Sequence, residues 1–170
     1  MSGQINLYEE LTGMKEALWG FLSGYFDGLP HSVGAAPVTF PKADVVFTRP
    51  ELAVALPRPV IYCAPVGGGL RRRRGRTTID GVTSWNLVVL VAKEHSASAG
   101  GTVYRAGRLH DLIASQIGLL LTSCRYVLAG YGLRCIKPGD AVPVQSGPLF
   151  TSYREVKLYP RFAPVVEEEA

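Results

Sequence analysis

Apolar residues recur at Leu7, Leu11, Met14, Leu18, Phe21/Leu22 and Tyr25, with Glu9, Glu10, Lys15 and Glu16 between them. Intervals of three and four put the apolar side chains on one helical face and predict a helix of about twenty residues. Asn6 stands where an N-cap is needed and Glu9, three residues on, completes a capping box. Gly28-Leu29-Pro30 ends the run. Gly13, Gly20 and Gly24 weaken this helix by roughly 1 kcal/mol each relative to Ala, and small residues also suit close packing against another subunit. Residues 31–44, rich in Gly, Ala and Pro, are expected to be a connecting loop. Asp44–Thr48 and Pro59–Cys63 are short β-branched and aromatic runs bounded by prolines, which predicts strands whose ends lie at edges or turns.

The middle of the chain reads as a long hairpin. Ile79-Asp80-Gly81-Val82 has the composition of a two-residue turn, with Leu70–Thr78 before it and Thr83–Ala92 after it. Closing the turn on Asp80-Gly81 sets Arg76 opposite Trp85, Arg74 opposite Leu87, Arg73 opposite Val88 and Arg72 opposite Val89. Because successive strand residues point to opposite faces, the arginines fall on both faces of their strand. A lone chain cannot bury such a strand on both sides without stranding charge. Either the arginine end projects beyond the body, or one face meets another molecule.

Ser96–Gly101 is expected to be a flexible link. Leu109, Leu112, Ile113, Ile117 and Leu120 form one stripe of a second helix from about Tyr104 to Leu121. Tyr126–Ala129 and Leu133–Ile136 suit short strands around Gly130-Tyr131-Gly132, and Lys137–Asp140 suits a turn. Phe150–Tyr159 alternates toward its end, with Val156 and Leu158 on one side and Glu155, Lys157 and Tyr159 on the other, and predicts a closing strand. The expected architecture is α+β, a largely antiparallel sheet with two helices packed on one face and a projecting β-hairpin. Residues 1–162 are assigned to one domain, and 163–170, with Glu167-Glu168-Glu169, to a short acidic tail expected to be disordered.

Charge sharpens the view of the hairpin. Eighteen Lys+Arg against fourteen Asp+Glu give +4. Removing Arg71, Arg72, Arg73, Arg74 and Arg76 leaves thirteen against fourteen, or −1. The positive balance belongs to one short segment, which argues against a general nucleic-acid-binding surface and concentrates attention on that segment. Cys63, Cys124 and Cys135 are odd in number and lack C-x-x-C spacing, so free, mostly buried thiols in a reducing compartment are expected. The N-terminus lacks the basic-then-apolar order of a signal peptide, and the run Ile113–Leu121 is about half the ~18 residues of a membrane span. A soluble protein with no membrane partner is the expectation.

The sequence carries no recognisable catalytic constellation. It has no G-x-S-x-G elbow and no G-x-x-x-x-G-K-[ST], and Gly67-Gly68-Gly69 is not followed by the third glycine of a dinucleotide loop. His31, His95 and His110 are scattered, and solvated or capping roles are expected for them. Cys63 or Cys124 paired with a distant histidine has no support from spacing. The reading is a non-enzyme with no cofactor and no metal.

Three roles suit the arginine run. Guanidinium forks bind carboxylates of a neighbouring subunit, among them the Glu167–Glu169 tail. The same forks bind phosphates, with Trp85 or Tyr62 as a stacking surface for nucleic acid. Charges on a solvated edge also block edge-to-edge aggregation. The first is favoured, and the candidate contact is Arg71, Arg72, Arg73, Arg74, Arg76, Asp80, Gly81 and Trp85. Arg71–Arg76 alone would serve the nucleic-acid alternative.

The order of elements then matters. An opening helix, a proline-bounded pair of strands, a long hairpin, a second helix and a closing strand ending in Arg154-Glu-Val-Lys-Leu-Tyr159 resemble the tail terminator, or tail completion, proteins of tailed bacteriophages. The resemblance spans Leu7 to Tyr159 and rests on size and element order. It implies a structural virion protein, a hexameric ring on the head-proximal end of the tail tube. Such a ring stops tube polymerisation and joins the tail to the neck or connector. It further implies a tail tube partner, a connector partner, transient contact with genomic DNA in the channel, and assembly in the host cytoplasm. Channels in this family are often acidic, so clustered arginines are placed at a subunit, tube or connector contact first and in the lumen second.

Overall fold

The computed structural model describes residues 7–51, 55–72, 79–123, 127–128, 131–135, 142–146 and 149–159. Asn6, expected as the N-cap, Lys137–Asp140, expected as a turn, and the acidic tail lie outside them. Helix α1 runs Leu7–Ser23 and helix α2 Ala106–Ser123. Strands β1 (Pro30–Val33) and β2 (Ala36–Thr39) form one small hairpin. Strands β6 (Ser96–Ala99) and β7 (Thr102–Arg105) form another. The main sheet holds β3 (Asp44–Val46), β4 (Val60–Arg72), β5 (Ile79–Ala92), β8 (Val127–Leu128), β9 (Tyr131–Cys135), β10 (Val142–Ser146) and β11 (Leu149–Tyr159). Its order is β3-β4-β5-β11-β9-β8, and β10 pairs the first half of β11 along the edge whose second half pairs β9. Among the described residues only β3 and β4 pair in parallel.

Both helices lie on one face of this sheet, as the periodicity predicts. Met14, Leu18 and Leu22 of α1 and Leu109, Ile113, Ile117 and Leu120 of α2 are buried against Ile61, Cys63, Trp85, Leu87, Val89, Val91, Val156 and Leu158. The alternation expected in the closing strand is present and extends further back. Ser152, Arg154, Val156 and Leu158 all point into the helix-covered side. A second, smaller cluster of Val60, Tyr62, Val88 and Leu90 occupies the opposite face.

Two stretches expected to be loop or link are hairpins. Within 31–44, β1 and β2 close over Gly34, at φ 66°. Ser96–Gly101 supplies β6 and the turn to β7, where Gly100 and Gly101 have φ of 60° and 83°. Two successive left-handed residues make the type I′ turn whose twist matches its strands, a demand that Gly-Gly meets without strain. Composition marked both stretches as turn-rich, and pairing of their short flanks turned them into ribbons. Helix α1 stops at Ser23, two residues before the end of its apolar pattern, and α2 starts at Ala106, whose φ of 46° breaks the path from β7.

Candidate interaction surface: the β4–β5 ribbon

Strands β4 and β5 are the longest among the described residues, and their far ends run beyond the neighbouring strands. β3 accompanies β4 only from Val60 to Tyr62. On the other side, β11 follows β5 as far as Thr83, which faces Leu158. Beyond Thr83, residues Ile79–Val82 pair with Gly69–Arg72 and, among the described residues, with nothing else. The two-stranded extension reaches about 13 Å past the sheet at ~3.3 Å per residue before the chain enters 73–78. Arg71 and Arg72 stand in β4, opposite Asp80 and Ile79. Arg73, Arg74 and Arg76 belong to the joining residues, outside those described.

This register corrects the expected one. Asp80 and Gly81 are extended residues inside β5, facing Arg71 and Leu70, and do not close the hairpin. Trp85 faces Pro65 rather than Arg76, Leu87 faces Cys63 rather than Arg74, and Val88 and Val89 face Tyr62 and Ile61 rather than Arg73 and Arg72. The Asp-Gly signal is a local preference, and prolonging a ladder through four more residue pairs outweighs it. Two features make the longer ladder feasible. The Asp44 N–H donates to the Pro59 carbonyl at 2.8 Å, so Pro59, Ile61, Cys63 and Pro65 turn their backbone groups toward the β3 side. At Pro65 that side is already vacant of β3, and the missing N–H costs no ladder bond. Between Pro65 and Gly67 a bulge shifts the register by one residue, and Val66 there is half exposed.

Trp85 is also removed from any contact surface. It is 4% exposed, within the helix-facing core, and its Nε1 donates to Thr83 Oγ1 at 2.8 Å. Tyr62 is buried on the other face, and that burial raises its phenol pKa against a smaller lowering influence of Arg49. Neither ring is available to stack on a base. The Cys63 thiol is free, buried and pushed up to about 12 by desolvation, which leaves almost no thiolate for nucleophilic work.

Two histidines expected to be solvated or capping are instead buried and hold the fold together. His95 Nδ1 accepts from the Ala92 N–H at 2.9 Å, so the proton sits on Nε2, which donates to the Leu56 carbonyl at 2.7 Å. His110 Nε2 lies 2.7 Å from Ser152 Oγ, and its Nδ1 lies 3.1 Å from Asp111 Oδ1. Ser, His and Asp here follow the order of an acyl-transfer triad. Ser152 is only 1% exposed, beneath α2, so no carbonyl carbon can approach its oxygen. The string satisfies buried polar groups. Periodicity could not reveal it, because Ser152 and His110 are forty-two residues apart.

No protein-family model matches the chain. Comparison with curated proteins returns no match either. Elsewhere on the surface, a half-open groove of about 630 Å³ lies among Lys42, Leu56, Arg58, Glu94 and Ser96. It mixes both signs of charge, and Arg58 is already held 3.5 Å from Asp44. Among the described residues no cluster of His, Cys, Asp and Glu is suited to a metal ion, and no helix is long and apolar enough to cross a membrane.

Proposed function

We propose that this chain is a structural virion protein. In this reading it forms a ring at the head-proximal end of a phage tail tube, halts tube polymerisation and joins the tail to the neck or connector. The projecting ribbon carries the proposal. A two-stranded ribbon is at best marginally stable alone in water, and this one leaves the sheet with no further strand paired to either edge among the described residues. Arg71 and Arg72, the first two of the five clustered arginines, stand in its β4 strand. A subunit that contacts its neighbours in a ring needs such an element, and a monomer does not. The α+β architecture with two helices on one sheet face suits the same role, and the protein acts without catalysis.

The alternative, a small nucleic-acid-binding module using Arg71–Arg76, retains the phosphate-binding chemistry of its guanidinium groups. It loses its stacking platform, since Trp85 and Tyr62 are both buried.

Light scattering and electron microscopy of the purified chain with tail tubes test the proposal. The expected result is a particle several times the 18.4 kDa chain mass, seen as rings seated on tube ends. A chain that stays single in the presence of tube ends overturns it. Replacing Arg72, Arg73 and Arg74 by Ala is expected to abolish assembly. Loss of DNA retention with assembly intact supports the alternative.

A further inference from the structure

Strand β6 has a second edge that its own hairpin leaves open. The Ala106 N–H donates to the His95 carbonyl at 3.0 Å, in the register that sets Ser96 opposite Arg105 and Ala97 opposite Tyr104. In an antiparallel pair only alternate residues exchange backbone bonds. Ala97 and Ala99 therefore turn their backbone groups toward β7, and Ser96 and Ser98 turn theirs away from it. Among the described residues no other strand pairs with that edge, and no hydrogen bond reaches the N–H or C=O of either serine. The edge opens on the groove of about 630 Å³. Ser96, Ala97 and Ser98 all line it. Side chains alternate between faces, so three consecutive strand residues reach one cavity through the edge they share. Leu56 and Pro57, from the segment before β4, line the groove as well. His95 Nε2 fastens that segment by donating to the Leu56 carbonyl at 2.7 Å, and Pro57 and Pro59 restrict its backbone. Lys42, also in the lining, is exposed and has no carboxylate within ion-pair distance among the described residues.

We infer that this groove takes an extended, carboxylate-bearing peptide segment of another protein as an added strand on β6. The open edge offers the N–H and C=O of both Ser96 and Ser98, a row that an extended backbone matches and a compact ligand does not. The volume falls in the range of roughly 300–1,000 Å³ found for small-ligand clefts, so a few residues of chain enter and a folded domain does not. Ala97 is half-buried and packs on the main core. The incoming residue opposite it faces the same way, which calls for a small apolar side chain. Ser96 and Ser98 are exposed, and the residues opposite them stand on the solvent side. A carboxylate there complements the unpaired Lys42. A free anion would use Lys42 and leave the strand edge unmatched. Because the His95 bond already fixes the Leu56 segment, the ordering cost of binding falls mainly on the peptide. This surface is separate from the β4–β5 ribbon and stands without the ring reading.

A matched pair of synthetic peptides and the unaltered full chain test the inference. The probe is fluorescein-labelled Ser-Glu-Val-Glu-Ser, whose valine is set opposite Ala97. Its partner is the same peptide with both glutamate amides N-methylated, which keeps the charge and removes two donors to the strand edge. Fluorescence anisotropy is expected to show the plain peptide binding at about 1 mM or below, and the methylated one about tenfold more weakly. Hydrogen exchange at Ser96 and Ser98 is expected to slow when the plain peptide is present. Lys42→Glu is expected to weaken the glutamate peptide by about fivefold and to favour Ser-Lys-Val-Lys-Ser instead. No binding at about 1 mM, or equal binding of the methylated peptide, overturns the inference. Binding with unchanged exchange at Ser96 and Ser98 marks an anion contact alone and overturns it too. If exchange there slows with rising protein concentration and no peptide, a second copy occupies the edge and the peptide assignment falls. Equal affinity of both peptides for Lys42→Glu and wild type overturns the carboxylate preference.

Discussion

The guanidinium of Arg154 lies directly under Gly118: a Cβ at that glycine would stand 3.0 Å from both Nη1 and Nη2. Arg154 is 4% exposed on β11, and its Nη2 donates to the Ala114 carbonyl of α2 at 3.0 Å. A glycine in a helix usually costs about 1 kcal/mol against Ala. Here it opens the slot that lets a charged side chain lie between helix and sheet. Gly118→Ala is therefore expected to destabilise the fold by about 1–2 kcal/mol, with overpacking outweighing the helical gain. In an Arg154→Met background the same substitution is expected to cost nothing. Urea unfolding of the four proteins in this cycle measures the coupling, and a cost unchanged by Arg154→Met rejects the contact as its origin.

Cys63 is expected to resist alkylation in the native protein. Its thiol is buried at 2% exposure and pushed up to about 12, so iodoacetamide at pH 8 meets the neutral form. Mass spectrometry of the Cys63 peptide should show modification only after unfolding. The same shift has a sign for stability. Between the ordinary thiol value of 9.0 and about 12 the unfolded chain loses this proton while the folded chain keeps it, so stability falls as pH rises through that window.

Asp27 and His31 secure the turn after α1. The His31 hydrogen bond holds the Asp27 carboxyl below its usual 3.8, with help from the Leu29 N–H, which donates to Oδ1 at 3.0 Å. A carboxylate shifted downward contributes stability that is present above pH 3.8 and lost as pH falls through the lower folded value. Carboxyl carbon NMR is expected to follow this titration. In His31→Ala the Asp27 midpoint should move up toward 3.8, and an unmoved midpoint excludes His31 as the cause.

His95 bridges the end of β5 to the segment before β4 through Ala92 and Leu56. His95→Ala leaves a buried N–H and a carbonyl without this partner and is expected to cost about 2–4 kcal/mol. Hydrogen exchange at the Ala92 amide should accelerate in step. A loss of stability without faster exchange there points away from this bridge.

Much of the architecture is written in local pattern. The three-and-four spacing of Met14, Leu18 and Leu22, and of Leu109, Ile113, Ile117 and Leu120, specifies both helices and their buried faces. Alternation in β11 specifies which side meets them, because a residue's face follows from its parity alone. The concentration of five arginines in one short segment is likewise a property of the sequence alone.

Register and burial are different in kind. Asp80-Gly81 has a turn's composition, yet it is extended because Gly67–Gly69 and a bulge after Pro65 let the ladder run on, a balance between two distant segments. Trp85 lies in the core rather than beside Arg76 for the same reason, and His110 finds Ser152 only when α2 lies across β11. Side-chain periodicity is set by bonds a few residues apart, so the chain alone determines it. Pairing depends on which segments meet, and that is decided only when helices, sheet and ribbon are packed together.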